Sequence, residues 1–172
     1  MNVKKMTYAA LLIALGYILH QLVPGVPFLG GMKMDFLLVM MFLSLLLMDT
    51  YKEALAVSLV CGIITAMTTT FPGGQIANLV DKVITGTLLF SAHKNFSHLM
   101  KPKNEILLGT LFGTLISGLI FLSVGLYVSG APISFSALYV GIVLPTSVLN
   151  TGAALLLHKA MSMSGARKTI SS

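Results

Sequence analysis

Apolar residues dominate six stretches of this chain, at residues 6–23, 36–48, 54–67, 83–92, 106–128 and 135–157, and polar residues collect between them. The first, fifth and sixth are long enough to cross a bilayer, which takes ~20 helical residues at ~1.5 Å rise each. The other three are short on apolar content alone. They lie between unambiguous spans, so crossing with their polar ends included is more economical than four or five spans with re-entrant pieces. The pattern predicts an all-α integral membrane protein, with residues 1–172 forming a single domain of six transmembrane helices. A basic start before the first stretch resembles a signal peptide. No convincing small-x-small cleavage site follows it, however, and further apolar spans do, so it reads as a retained first helix.

Composition agrees. Only 9% of the 172 residues are charged, against about 25% in an ordinary soluble domain. A mean hydropathy of +0.92 leaves too little polar surface to face water, so lipid must be the solvent. The net charge of +6 does not indicate nucleic acid, because the basic residues form no continuous phosphate-tracking stripe. It is mainly a topology signal. With the N-terminus inside and six crossings, Lys4, Lys5, Lys52, Lys94, Lys101, Lys103, Lys159, Arg167 and Lys168 fall on the inner side. Only Lys33 and Lys82 fall on the outer side. Such asymmetry follows the positive-inside rule and predicts that both termini are cytoplasmic.

The three short stretches lose apolar character at one shared end. Asp35 precedes the second, Thr68, Thr69 and Thr70 follow the third, and Gln75, Asn78, Asp81 and Lys82 precede the fourth. Polar groups at membrane depth are tolerated only inside protein or along a wet cavity, and ionisable ones there default to function. A polar pocket open to the outside, between helices two, three and four, is the expectation. His20 stands at the same end, as a cap, a loop contact or a pocket wall. Glycine-rich segments with Gly30 and Gly31, and with Gly73 and Gly74, lie on this face, each followed by a Lys and an Asp. They read as a lid and a binding floor or as ordinary tight turns.

No phosphate loop is present, so the chain should not hydrolyse ATP itself. Neither a zinc-protease nor a serine-hydrolase motif occurs, and the five acids are spread over separate loops. No catalytic residue, metal or cofactor is expected. The lone Cys61 excludes an internal disulfide and reads as buried. Ala10 and Ala14, and likewise Gly109, Gly113 and Ser117, are spaced four apart, which lets helix backbones approach closely. Packing within the chain is the default for both stripes. Pro145 should kink helix six or mark a restart. A restart places Asn150 near the pocket; a continuous helix places it deeper, as a tie between helices.

With these residues in view, the chain resembles the substrate-binding S-components of energy-coupling-factor (ECF) transporters, specifically the tryptophan-transporter group. The resemblance rests on Phe28-Leu29-Gly30-Gly31-Met32-Lys33-x-Asp35, and on Phe71-Pro72-Gly73-Gly74-Gln75-Ile76-x-Asn78 with Asp81-Lys82. It rests also on Leu144-Pro145 with Asn150-Thr151, and it covers nearly the whole chain. It implies a multi-pass protein of the bacterial plasma membrane that captures a small nutrient, above all tryptophan. It implies energy from a coupling subunit and two ABC ATPase subunits, docked through Ala10 and Ala14, and a protein that topples to carry substrate inward. The expected substrate site comprises Gly30, Gly31, Lys33, Asp35, Phe71, Gly73, Gly74, Gln75, Asn78, Asp81, Lys82 and Asn150.

Lys33 and Asp81 are the expected partners of a substrate carboxylate and ammonium, against a reading in which Lys33 pairs with Asp35 or Asp81 to hold the loops. Both charge signs with Phe28, Phe36 and Phe71 suit an aromatic amino acid, and also thiamin-like or biotin-like vitamins. Three other classes remain: a self-sufficient secondary carrier, which would usually show internal repeats, an intramembrane enzyme and a structural scaffold.

Overall fold

The computed structural model describes residues 3–22 and 35–163, and these are all-helical. In chain order come α1 (Val3–Leu22), α2 (Phe36–Leu45), α3 (Tyr51–Thr68), α4 (Gly74–Phe96) and α5 (Pro102–Ser129). The sixth crossing combines α6 (Phe135–Leu138), a π-helical turn (Tyr139–Val143) and α7 (Leu144–Met163). Three segments, Tyr51–Thr68, Pro102–Ser129 and Phe135–Met161, are long and apolar enough to cross a membrane by themselves. Six helices were expected, and the described residues form six, with the last broken only by its π turn.

Local chemistry sets the helix ends. Thr50 and Glu53 form a capping box at α3, each side chain accepting from the other's backbone N–H, at 3.3 and 3.2 Å. Pro102 opens α5 without wasting an N–H, and Gly130 closes it in the left-handed region. In the sixth crossing, Pro145 cannot donate to a carbonyl one turn back, and its ring would crowd that carbonyl. The π turn just before it widens the coil and keeps the helix continuous. Tyr139 pins this turn to α5 by donating its hydroxyl to Leu115 O at 3.1 Å.

α4 departs most from expectation. It begins at Gly74, not near Val83, so Gln75, Asn78, Asp81 and Lys82 belong to the helix and not to a preceding loop. Polar side chains hid those turns from a reading of apolar runs. Their backbone hydrogen bonds remain intrahelical, which is what permits polar residues at depth.

α2 is central. Every residue from Leu37 to Leu45 is buried, and the helix touches α1, α3, α4, α5 and α7. Its apolar character on all sides is that of a helix surrounded by protein. At 10 residues it spans about 15 Å, roughly half the hydrocarbon thickness. The main cluster of buried side chains, including Ile13, Met40, Met41, Phe42, Cys61 and Phe90, gathers around it.

Candidate functional site

A cavity opens above the N-terminal end of α2. Its wall takes His20 from α1, Asp35 and Leu38, and Thr65 and Thr68 from α3. Phe71 comes from the α3–α4 connection, Asn78, Asp81 and Lys82 from α4, and Thr114, Ser117 and Phe121 from α5. Ile142, Val143 and Thr146 close the side formed by the π turn and α7. The space open to the centre of a water is about 90 Å³, within about 700 Å³ of unfilled volume that includes the mouth. All these segments lie at the end of the bundle away from the start of α1 and the end of α7.

Three charges form the floor. Lys82 Nζ donates to Asp35 Oδ2 at 2.5 Å and to Asp81 Oδ2 at 2.6 Å, and lies 3.5 Å from Ser117 Oγ. Ser117 donates to Asp81 Oδ2 at 2.7 Å and Thr85 to Asp81 Oδ1 at 2.8 Å. Asp35 is the N-cap of α2, its Oδ1 accepting from Leu38 N at 2.9 Å. The side chains of Lys82 and Asp81 are 1% and 0% exposed, whereas that of Asp35 is 22% exposed. Charges this deep survive only when paired and hydrogen-bonded, and here they are. Lys82 lies about 12 Å down α4 from its first residue at ~1.5 Å per residue.

The upper wall is apolar on one side and hydroxylic on the other. Phe71 and Phe121 meet edge to face with centroids 5.4 Å apart, a surface suited to a further ring. Thr65 and Thr68 turn their hydroxyls back to their own helix, at Cys61 O and Ile64 O. Asn78 donates to Thr65 O at 3.3 Å and Gly74 O at 2.9 Å, tying α4 to α3 beside the cavity.

Of the residues expected here, Asp35, Phe71, Asn78, Asp81 and Lys82 converge on one cavity. Gly73 and Gly74 shape the start of α4 without lining it, and Gln75 is exposed outside it. Asn150 is fully buried and donates to Thr114 Oγ1 at 3.3 Å, so it ties α7 to α5 beneath the cavity. Gly30, Gly31 and Lys33 lie outside the described residues. Lys82, expected on the outer side of the membrane and in the substrate site, is the buried cation at the centre of the site. Ser117 and Thr114 were missed as wall residues, since the small-residue stripe explained Ser117 by packing alone. The available signal was the spacing of Thr110, Thr114 and Ser117, which puts three hydroxyls on one face of a very apolar helix.

Ala10 and Ala14 are exposed and line a separate groove of about 890 Å³ between α1 and α3, with Val57, Val60 and Ile64 opposite. At the other end of the bundle, below α2, Lys5, Asp49, His93, Lys94, Glu105 and His158 surround a further cavity of about 500 Å³.

Comparison with known proteins identifies the family of the chain. A "Probable tryptophan transport protein" of Bacillus subtilis is 42% identical over 158 residues, 92% of this chain and 90% of its own length. A protein of the same description from Clostridium acetobutylicum is 41% identical over 150 residues, 87% of this chain and 86% of its own. A third, from Clostridium perfringens, is 38% identical over an alignment of 180 positions, gaps included, that covers 98% of this chain and 97% of its own length. No solved structure matches the chain. The profile of the tryptophan transporter TrpP family matches residues 2–165. This multi-pass membrane protein, a transporter and not an enzyme, belongs to the TrpP family.

Proposed function

We propose that the chain is the substrate-binding membrane subunit of an ECF-type importer, capturing tryptophan at the outer face for ATP-driven uptake by partner subunits. The carrying observation is the Asp35–Lys82–Asp81 cluster on the floor of a cavity with an aromatic wall. Charges of both signs suit a zwitterion, the Phe71–Phe121 pair suits an indole, and the descriptions of the relatives name tryptophan. The site in this proposal is Asp35, Phe71, Asn78, Asp81 and Lys82; the resemblance adds Gly30, Gly31 and Lys33, which lie outside the described residues. The basic-residue asymmetry supports cytoplasmic termini, which turns the cavity outward.

For partners, the resemblance to S-components implies a coupling subunit and two ABC ATPases, and the lack of a nucleotide motif in this chain is consistent with hydrolysis falling to them. The exposed Ala10 and Ala14 supply small side chains on which a helix of that subunit can pack closely. Calorimetric titration of the purified chain in nanodiscs should show saturable tryptophan binding without ATP. Proteoliposomes should accumulate tryptophan only when the partner subunits are included. Binding of a vitamin in place of tryptophan overturns the substrate assignment.

One observation favours a self-sufficient carrier instead. Polar cavities lie at both ends of the apolar α2, the layout that alternating access by one chain would use. Accumulation driven by an ion gradient in proteoliposomes of this chain alone would establish it.

A further inference from the structure

The three floor charges are not equivalent. Asp81 is sealed: both of its oxygens are occupied, by Lys82, Ser117 and Thr85, and its side chain is fully buried. Asp35 is partly open to the cavity. One of its oxygens caps α2 through Leu38 N, and the other accepts from Lys82. The Lys82–Asp35 pair thus bridges two helices, α4 and α2, at the most exposed point of the cluster lining the cavity.

We propose that this ion pair is the resting stand-in for substrate, and that a free α-amino acid binds by exchanging partners with it. The incoming carboxylate takes Lys82, the incoming ammonium takes Asp35 Oδ2, and Asp81 holds Lys82 throughout. The inference rests on the cavity being the substrate site, and it specifies how that site selects its ligand class. A zwitterion brings one charge of each sign, so the net charge of the floor is unchanged and no ion is left bare. That condition governs at this depth, because an unpaired buried charge costs far more than a pair. Asp35 Oδ1 stays on Leu38 N during the exchange, so α2 keeps its cap. Lys82 can pivot about its contact with Asp81, turning from Asp35 to the carboxylate, because its charge sits on a flexible four-carbon stem. Asp81 is a positioning residue in this scheme, which revises its expected role as a direct ligand.

Ligands with one charge cannot complete the exchange. An amine parts Asp35 from Lys82 without replacing it, and an acid displaces Asp35 and strands it. Each loses a charge-assisted contact worth roughly ten- to hundredfold in affinity.

The test is titration of the purified chain in nanodiscs with L-tryptophan, tryptamine and 3-indolepropionate. For the wild-type protein, both analogues should bind at least about tenfold more weakly than tryptophan. Asp35→Asn should weaken tryptophan yet strengthen 3-indolepropionate, because Lys82 is freed. Lys82→Met should weaken tryptophan yet strengthen tryptamine, because Asp35 is freed. A purely structural tie predicts that each variant loses all three ligands alike, and that result overturns the exchange. If either variant fails to fold, the wild-type ranking still decides: an analogue binding as tightly as tryptophan overturns the proposal. Wild-type protein that binds no tryptophan overturns the reading of the cavity itself; binding with a flat ligand profile overturns only the exchange.

Discussion

Gly86 of α4 lies one turn below Lys82, at the most extensive helix pairing in the bundle, that of α3 with α4. A methyl group there would fall on Ser58 Oγ and come within 2.8 Å of Ser58 Cβ. Ser58 is fully buried, and its hydroxyl is committed to Ala54 O at 2.8 Å. Carbon atoms in contact prefer about 3.5–4.0 Å, so the two helices must part by about 1 Å. Overpacking of this kind costs about 1–3 kcal/mol. Gly86→Ala should destabilise the protein by that amount and weaken substrate binding, because α3 carries Thr65 away from Asn78. Ser58→Gly removes both offending atoms and should restore most of the loss in the double variant, an interaction that a double-mutant cycle isolates. The buried Cys61, the only cysteine, supplies the assay: a thiol-reactive dye reports its exposure on heating. A Gly86→Ala protein that unfolds at the wild-type temperature, or no rescue by Ser58→Gly, would refute the reasoning.

Gly73 caps α4 at φ +70°, with Gly125 O and Ser129 N both 3.2 Å from where a Cβ would sit, whereas Gly130 at φ +62° faces open space. Gly73→Ala should therefore cost more than the ~1–2 kcal/mol left-handed strain common to both, and Gly130→Ala about that strain alone, read by thermal unfolding. Asn150→Leu should change stability by less than about 1 kcal/mol, since interhelical hydrogen bonds in membranes average ~0.6, and should leave tryptophan affinity near wild type in titration. Lys5 bonds both oxygens of Asp49 at 2.8 Å and holds its carboxyl below the ordinary 3.8. A lowered carboxylate pKa stabilises the fold above the ordinary value and loses that effect as pH falls through the folded one. The gap between wild type and Asp49→Asn, small because the pair is exposed, should be constant above pH 3.8 and close below it in a pH series of unfolding curves.

Apolar runs located all six helices because lipid imposes one requirement on every span, and composition alone reveals it. They misplaced the start of α4 because a helix facing a polar cavity need not be apolar on that face. Asp81 and Lys82 therefore read as a loop, although they lie at the helix's third turn. Asp35, Asn78, Asp81 and Lys82 were legible as a group, since charge between spans demands an explanation. What stayed hidden was how they pair. Lys82 bonds a residue 47 positions away, and no spacing rule within an element predicts that partner. The hydroxyl wall was obscured for a different reason: in an apolar helix, Ser and Thr satisfy packing and polarity equally well, and only the neighbouring helix decides which role is used.

The depth of the site follows from the shortness of α2. A helix that begins inside the bundle leaves its first N–H groups without water, and in hydrocarbon each such loss costs several kcal/mol. Asp35 meets that need by accepting from Leu38 N, and its negative charge also favours the positive end of the helix. The same carboxylate binds Lys82, so one residue both terminates α2 and fixes where the floor charges lie. These two roles separate by substitution, because Asn caps a helix about as well as Asp, whereas Ala does not. Asp35→Asn should lose the charge and keep the cap; Asp35→Ala should lose both and unfold at lower denaturant, by about 0.5–2 kcal/mol beyond the Asn variant. Both should lose tryptophan affinity, since neither can hold an ammonium. Equal stability of the two variants would show that α2 does not depend on this cap, and the depth of the site would then need another cause.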